Sequence, residues 1–482
     1  MDIDIESLQK NFINGEWIGD DATSFIDVIN PSSLERIGGV PDCGIAEATL
    51  AVEAAERAFT TWHLLSASER EIILVKAANI MEREREKLAT IITKEQGKPL
   101  AESKGEIDYG IDFVRWYASE GRRLYGEIIP SSDVKKRQLV FREPVGPTLL
   151  VSSGNDPFAM ITRKGAPALA AGCTLVVKPH RETPFSALAV AKIFEEAGLP
   201  QGGINVITTT RSTDVVEFLL KHPGIRHLTF TGSSEVGKIL GGLAGAMVKG
   251  MTLELGGHAP FVVFEDADIA LAADDLLARK YTNAGQTCSC PARIFLHESI
   301  EKVFLDQFVE KVKKITVGDG FDPAVTMGPL QNEGAVRKAE RHVADAVEKG
   351  GQLVVGEKQQ RKYAGNFLTP SVLVNSSDDM LIMQEETFGP VAAFTTFQTE
   401  SDLFRRMNHS TYGLTGYCYT ANLSRAFRLI DNLSCGFIGI NDRRPQGVEV
   451  PMGGIGDSGI GREGGHWGIE EFTHIKYASI RV

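Results

Sequence analysis

The chain is short of cysteine, of basic charge and of long apolar runs, and each shortage removes a class of function. Six cysteines in 482 residues, without regular spacing, make no disulfide framework and fit a reduced, cytoplasmic setting. Lys and Arg number 51 against 63 Asp and Glu, a formal net charge of −12. Phosphate neutralisation needs clustered cations, so nucleic acid is not an expected partner. No apolar run approaches the ~20 residues of a membrane span. The opening MDIDIESLQKNF is acidic and lacks an apolar segment, so no secretory signal is expected. Cys288 and Cys290 have no second Cys/His pair at zinc-site spacing, and no metal is expected. Repeats, low-complexity tracts and linkers rich in Pro and Ser are missing too.

What remains is an ordinary globular balance, 43% hydrophobic and 24% charged, in a chain too long for one core. Domains of ~100–200 residues imply two or three. Residues 45–96 read as helical, with an Ala-rich stripe from Ile45 to Trp62. Ser66 or Ser68, with Glu69 or Glu71 three residues on, opens a second helix through a capping box. From Pro144, short apolar runs (PTLLVSS, TLVVKP, INVITT, HLTFTGS) alternate with helical stretches such as Pro184 to Ala197 and Glu235 to Ala246. That alternation predicts a parallel sheet flanked by helices. A second round begins near Glu254, with PFVVFE, ARIFLH, a helix from Ile300 to Ile315, and GFIGIN. The expected fold class is therefore α/β, two domains with parallel sheets joined near residue 250. Ser131 to Glu143, after LYGEII, reads as a two-stranded excursion, and EEFTHIKYASIRV as a lone strand. Such edges are expected to pair with a neighbouring subunit.

Three segments carry chemistry. NAGQTCSC (283–290) sets a thiol in a polar, Gly-containing stretch, and a Cys nucleophile needs a favourable local field to ionise. On the octapeptide alone, simple packing of Cys288 is the better reading. LELGGHAP (253–260) puts Glu254 inside an apolar strand, where burial raises a carboxyl toward the range of a general base. A lone acid at a strand end is more often a cap. FTGSSEVG (230–237) is a strand, a tight turn and a helix start, which offers N–H groups to a phosphate. G-x-G-x-x-G occurs at Gly454-Gly456-Gly459 and again at Gly459-Gly461-Gly464. Neither follows a strand inside a βαβ unit, so both read as a glycine-rich loop.

Taken in order, these segments resemble the aldehyde dehydrogenase superfamily from about Phe12 to the C-terminus. The succinate-semialdehyde dehydrogenase branch is the nearest in pattern, through EPVG (143–146), MITRKGAPALAAGCTLVVKP (160–179), TPFSALA (183–189), FTGS (230–233), LELGG (253–257), NAGQTCSC (283–290), EETFGP (385–390) and GREGG (461–465). The resemblance implies a cofactor-binding domain over 1–121 and 144–253 and a catalytic domain over 254–448. It implies oligomerisation strands at 122–143 and 465–482, in a homodimer or homotetramer.

The resemblance also implies roles. Cys288 attacks the aldehyde carbon; Asn155, in SSGNDP, stabilises the oxyanion with the Cys288 backbone N–H; Glu254 activates water against the thioester. NAD or NADP is held by Gly154, Lys178, Pro179, Arg181, Gly232, Ser233, Leu255, Glu386 and Phe388. Arg181, a cation where NAD-preferring relatives often carry Glu, implies that NADP is accepted, with Glu182 next door able to restore NAD use. Arg163 matches one of the branch's two carboxylate-gripping arginines, and Thr282 stands where the other would be. Arg443 and Arg444, in NDRRPQG, are candidates to replace it or are solvent-exposed. Cys290 is a candidate redox partner for Cys288, or simply packs.

Departures from the pattern are Gly154 and Asp156 in place of Trp and Phe, Thr209 in place of Gly, Met452 in place of an aromatic, and His258, read as a packing residue. The expected substrate is a carboxylate-bearing semialdehyde. Aromatic or short aliphatic aldehydes, a CoA-acylating relative and a catalytically silent member are the alternatives.

Overall fold

The computed structural model describes residues 3–20, 22–356 and 364–482. Ser66 is the residue that opens the second helix, Ala67–Arg83. Its hydroxyl accepts from the Glu69 N–H (3.3 Å) while Glu69 accepts from the Ser66 N–H (2.7 Å), which satisfies two orphan donors reciprocally. Four helices, Ile45–Trp62, Ala67–Arg83, Arg85–Gln96 and Leu100–Glu120, supply much of the first core.

An eight-stranded sheet follows. Its five central strands, Ile204–Val206, Leu175–Lys178, Thr148–Val151, His227–Thr231 and Gly250–Glu254, are neighbours in that order and parallel. All but the start of the last are fully buried, as a sheet covered on both faces demands. From Thr148–Val151 the chain steps outward to one side, then returns for His227–Thr231 on the other. The order therefore reverses between these two strands, and in open α/β sheets the crevice at such a reversal, beyond the carboxyl ends, is where ligands bind.

The second sheet has seven strands, in the order Gln352–Val355, Ser371–Val374, Val391–Phe397, Pro291–His297, Ala259–Val263, Thr415–Tyr419 and Phe437–Ile440. All of its pairings are parallel except that of the first strand. The link from Glu254 to Ala259 is short. It carries the carboxyl end of one sheet directly into the amino end of the other, so Glu254 and the residues before Pro291, Cys288 among them, share the seam.

Two expectations change. The strand Thr473–Arg481 is not lone: it pairs antiparallel with Lys136–Pro144 along its whole length, Thr473 opposite Pro144 and Arg481 opposite Lys136. Glu127–Ile129 completes a three-stranded sheet. Alternation in a strand cannot say whether its partner lies in the same chain. A hairpin of Phe25–Ile29 and Arg36–Pro41 had no sequence-based expectation. The glycine-rich loop is built into the first sheet, with Gly459–Ile460 pairing antiparallel to Leu253–Glu254. Gly459 has φ +144°, and a Cβ there would lie 2.0 Å from the Leu253 carbonyl oxygen. Only glycine permits that approach.

Candidate active site

Cys288 is half-buried, at the end of a loop whose backbone is strained. Asn283, Ala284 and Gly285 have φ of +50°, +52° and +76°, three successive left-handed residues, of which the alanine is the costly one. Surrounding bonds hold the loop. The Asn283 side chain donates to the Asn155 carbonyl (3.0 Å) and accepts from Gln96 (2.8 Å), while its backbone N–H donates to Glu102 (2.8 Å). On the other side, a Cβ on Gly257 would lie 2.0 Å from the Cys288 carbonyl oxygen, so the chain after Glu254 is pressed against the thiol's own backbone. Burial, and next to it the Glu254 charge, push the Cys288 thiol up to about 12.

Asn155 is buried. Its Nδ2 donates to the carbonyl of Gln286 (3.1 Å), two residues before the thiol, and to Asp156 (3.0 Å); its Oδ1 accepts from Ser153 (2.7 Å). Asp156 is fixed in turn by the buried Lys98 (2.7 Å), which also binds Glu106 (2.8 Å). A polar residue in place of Phe at 156 thus anchors the amide through a cation that sequence reasoning missed.

Glu254 ends its strand buried, with burial raising its carboxyl. Arg163 Nη2 lies 3.1 Å from Glu254 Oε2, and Arg163 Nε donates to Glu463, which also takes the Lys164 ammonium. Although burial opposes it, these two cations hold Glu463 below the ordinary carboxylate range. The Arg163 guanidinium is thus engaged by two buried acids. Glu463 lies within GREGG, but its partners lie about 300 positions away in sequence.

The remaining site residues fall into two groups. Gly154 follows Thr148–Val151, Lys178 to Arg181 follow Leu175–Lys178, and Gly232 and Ser233 follow His227–Thr231, all at carboxyl ends around the reversal of strand order. Ser233 is the cap of the helix Ser234–Ala246, accepting from Val236 N–H (3.3 Å), one residue earlier than expected. Gly154 leaves room for Gln331, whose amide nitrogen would stand 2.4 Å from a Cβ there. Pro179 is buried. Burial, with Arg181 next, lowers the Lys178 ammonium to about 8, and among the described residues no carboxylate pairs with it. Arg181 is exposed on a cleft of about 610 Å³ that Glu182, Thr210, Gln331 and Asn332 also line. Glu182 is held by Asn332 Nδ2 at 3.0 Å. Glu386 accepts from the Gly257 N–H (2.8 Å), and burial raises it to about 7. Leu255 N–H donates to Ser458 O (3.0 Å), and Phe388 has φ +54°, strained for an aromatic residue.

Around the thiol, Cys290 is buried and turned aside. Its sulfur lies 3.4 Å from Lys280 Nζ, and it is not joined to Cys288. Arg443 is bound to the buried Asp275 (3.0 Å), and Arg444 is exposed. His258 is buried and bonded to the Ile382 carbonyl (3.0 Å). Thr209 binds the Cys43 carbonyl (2.8 Å), and Met452 receives the Tyr109 hydroxyl (3.5 Å). No described helix is long and apolar enough to cross a membrane.

The geometry is that of a thiol, a buried acid and a buried amide at the mouth of a crevice fit for a dinucleotide. Residues 17–478 match the model of the aldehyde dehydrogenase family. The chain belongs to that family. Among its aldehyde dehydrogenase relatives, it is 44% identical to the NADP(+) succinate-semialdehyde dehydrogenase GabD of Escherichia coli (strain K12), over 98% of both chains. It is 42% identical to a glutarate-semialdehyde dehydrogenase of Pseudomonas aeruginosa, over 97% of both. The crystal structure of succinate-semialdehyde dehydrogenase from Burkholderia pseudomallei superposes with a TM-score of 0.97 at 42% identity, covering 99% of each chain.

Proposed function

We propose that this aldehyde dehydrogenase oxidises a carboxylate-bearing semialdehyde, such as succinic semialdehyde, to the acid, with NADP accepted and NAD also used. The observation that carries the reading is the convergence on one loop. The Asn155 amide bonds the loop of Cys288 at Gln286, and the Glu254 charge is near enough to raise the thiol.

Burial pushes the Cys288 thiol up to about 12, so it must give its proton to solvent before it can act as a nucleophile, and Glu254 stays free for the later step. Cys288 Sγ then bonds the aldehyde carbon. One Asn155 N–H passes from Asp156 or Gln286 to the new oxyanion, beside the Cys288 backbone N–H. A bound nicotinamide supplies the hydride acceptor. Glu254 next takes a proton from water, which opens the thioester to acid and free thiol; that base argues against acyl transfer to CoA.

The cofactor residues fit a dinucleotide. Lys178 is a buried cation awaiting an oxygen ligand, and the turn at Gly232 and Ser233 lies at the reversal of strand order. Glu182, tied to Asn332, leaves Arg181 open to a 2′-phosphate, with Glu386 and Phe388 at the other end of the crevice. The same reading gives the cofactor to 1–121 and 144–253, catalysis to 254–448, and assembly into a cytoplasmic homodimer or homotetramer to 122–143 and 465–482. The exposed Ile128 and Ile475 support that assembly.

Steady-state assays of succinic semialdehyde against butanal, with each cofactor, test the proposal. Cys288→Ala is expected to abolish turnover, and Glu254→Gln to give a burst of reduced cofactor followed by slow turnover. Full activity in either variant, or no preference for the semialdehyde, overturns it.

A further inference from the structure

Beside the thiol stands a cation for which the oxidation itself has no use. Arg279 lies near the end of the helix Ile269–Tyr281, and its Nη2 reaches Ser289 Oγ (2.5 Å) and Tyr417 Oη (3.2 Å). Ser289 is the residue immediately after Cys288. Tyr417 Oη donates to the Ser289 carbonyl (2.8 Å), and Gln446 Nε2 lies 3.5 Å from the Ser289 hydroxyl. Four residues from three distant parts of the chain therefore converge one position past the nucleophile.

The cluster is incomplete in a specific way. Arg279 Nε and Gln446 Oε1 are both shut from water without a hydrogen-bond partner. Among the described residues no carboxylate pairs with Arg279, whereas Arg163 has Glu463 and Glu254, and Arg443 has Asp275. A half-buried guanidinium whose Nε is shut from water, without a counter-charge, is costly. Its unfilled N–H groups and its missing negative charge are both what a carboxylate provides. Gln446, after a half-turn of its amide, adds a second donor from the facing loop.

The neighbouring position explains the need. Thr282 occupies the place of the second carboxylate-gripping arginine of the semialdehyde branch, and its hydroxyl is turned back onto the Ala278 carbonyl. Arg279 precedes it by three residues, close to one helical turn, so a cation is restored from the last turn of the helix that ends just before Thr282.

We propose that Arg279, with Ser289 and Gln446, seats the distal carboxylate of the aldehyde and sets the substrate's length and charge. This rests on the reading that the substrate carries such a group. Arg163, committed to Glu463 and Glu254, instead holds the base in position.

The test compares succinic semialdehyde with butanal, its neutral four-carbon counterpart, in wild type, Arg279→Met, Arg279→Lys and Gln446→Ala. Arg279→Met is expected to raise KM for the semialdehyde by roughly 10- to 100-fold, the loss of a charge-assisted pair. Its kcat changes far less, and butanal kcat/KM falls by a much smaller factor. Arg279→Lys retains part of the semialdehyde affinity, because the charge stays while the planar fork is lost. An unchanged semialdehyde KM, or equal losses for both aldehydes, overturns the assignment. If Arg279→Met does not fold, Gln446→Ala decides through the same ratio, with a selective semialdehyde loss expected. A wild type that prefers the semialdehyde while Arg279→Met keeps that preference removes Arg279 alone. A wild type without the preference removes the carboxylate-bearing substrate and this site together.

Discussion

Alkylating the cofactor-free enzyme with iodoacetamide across a pH series reads the ionisation of Cys288, because only the thiolate attacks. Burial first, and the Glu254 charge second, lift this thiol from 9.0 to about 12. At ~1.36 kcal/mol per decade, that is roughly 4 kcal/mol against the thiolate. At pH 8 the reactive fraction is then on the order of 10⁻⁴. The alkylation rate is expected to climb about tenfold per pH unit from 7 to 10, without levelling. Replacing Glu254 by Gln removes an anion that opposes the thiolate, so the rate at any fixed pH rises. Burial, the larger cause, stays, and the profile moves only part of the way back. Peptide mapping separates Cys288 from Cys435, the other half-buried thiol. A wild-type plateau below pH 9, or slower alkylation in Glu254→Gln, refutes the reasoning.

Two further outcomes follow from buried charge and from the cofactor cleft. Glu463→Gln leaves Arg163 and Lys164 with Glu254 as their one remaining acid of the cluster; breaking a buried pair in this way costs about 3–5 kcal/mol, and calorimetry is expected to show a clearly lowered melting temperature, an unchanged one counting against the cluster. Arg181→Glu is expected to shift the ratio of kcat/KM for NADP over NAD toward NAD by roughly ten- to hundredfold, and a ratio that does not move places the 2′ position elsewhere.

Local chemistry was legible in the sequence and tertiary pairing was not. The capping box at Ser66 and Glu69 and the strand–helix alternation after Pro144 depend on neighbours within a few positions, and the structure follows them closely. The helix expected from Ile300 to Ile315 is Glu301–Val312 with a 3-10 turn before it, since helix ends are decided by caps rather than by apolar spacing. The pairing of Arg163 with Glu254 and Glu463 was not legible, because both lie far away along the chain. Arg279 passed unnoticed for the same reason: a lone arginine in DDLLARKY looks like a solvated helix end until Ser289 and Gln446 are folded against it. Thr473–Arg481 showed its strand character but not its partner, because a period of two fixes a face and not a register across hundreds of residues.

The joining of Gly459–Ile460 to Leu253–Glu254, and of Glu463 to Arg163 and Lys164, fixes the order in which a newly made molecule matures. On the ribosome, every parallel strand of the first sheet has emerged long before Gly459 does. Until it arrives, the sheet ends in a bare edge at the very strand that bears Glu254. Two lysine- and arginine-borne charges beneath that strand wait for their anion over the same interval. Without Gly459–Ile460 the strand that bears Glu254 has no partner on that side, and Arg163 and Lys164 lack Glu463. A chain that ended before Gly459 would leave that edge of the sheet unpaired, and bare sheet edges invite association.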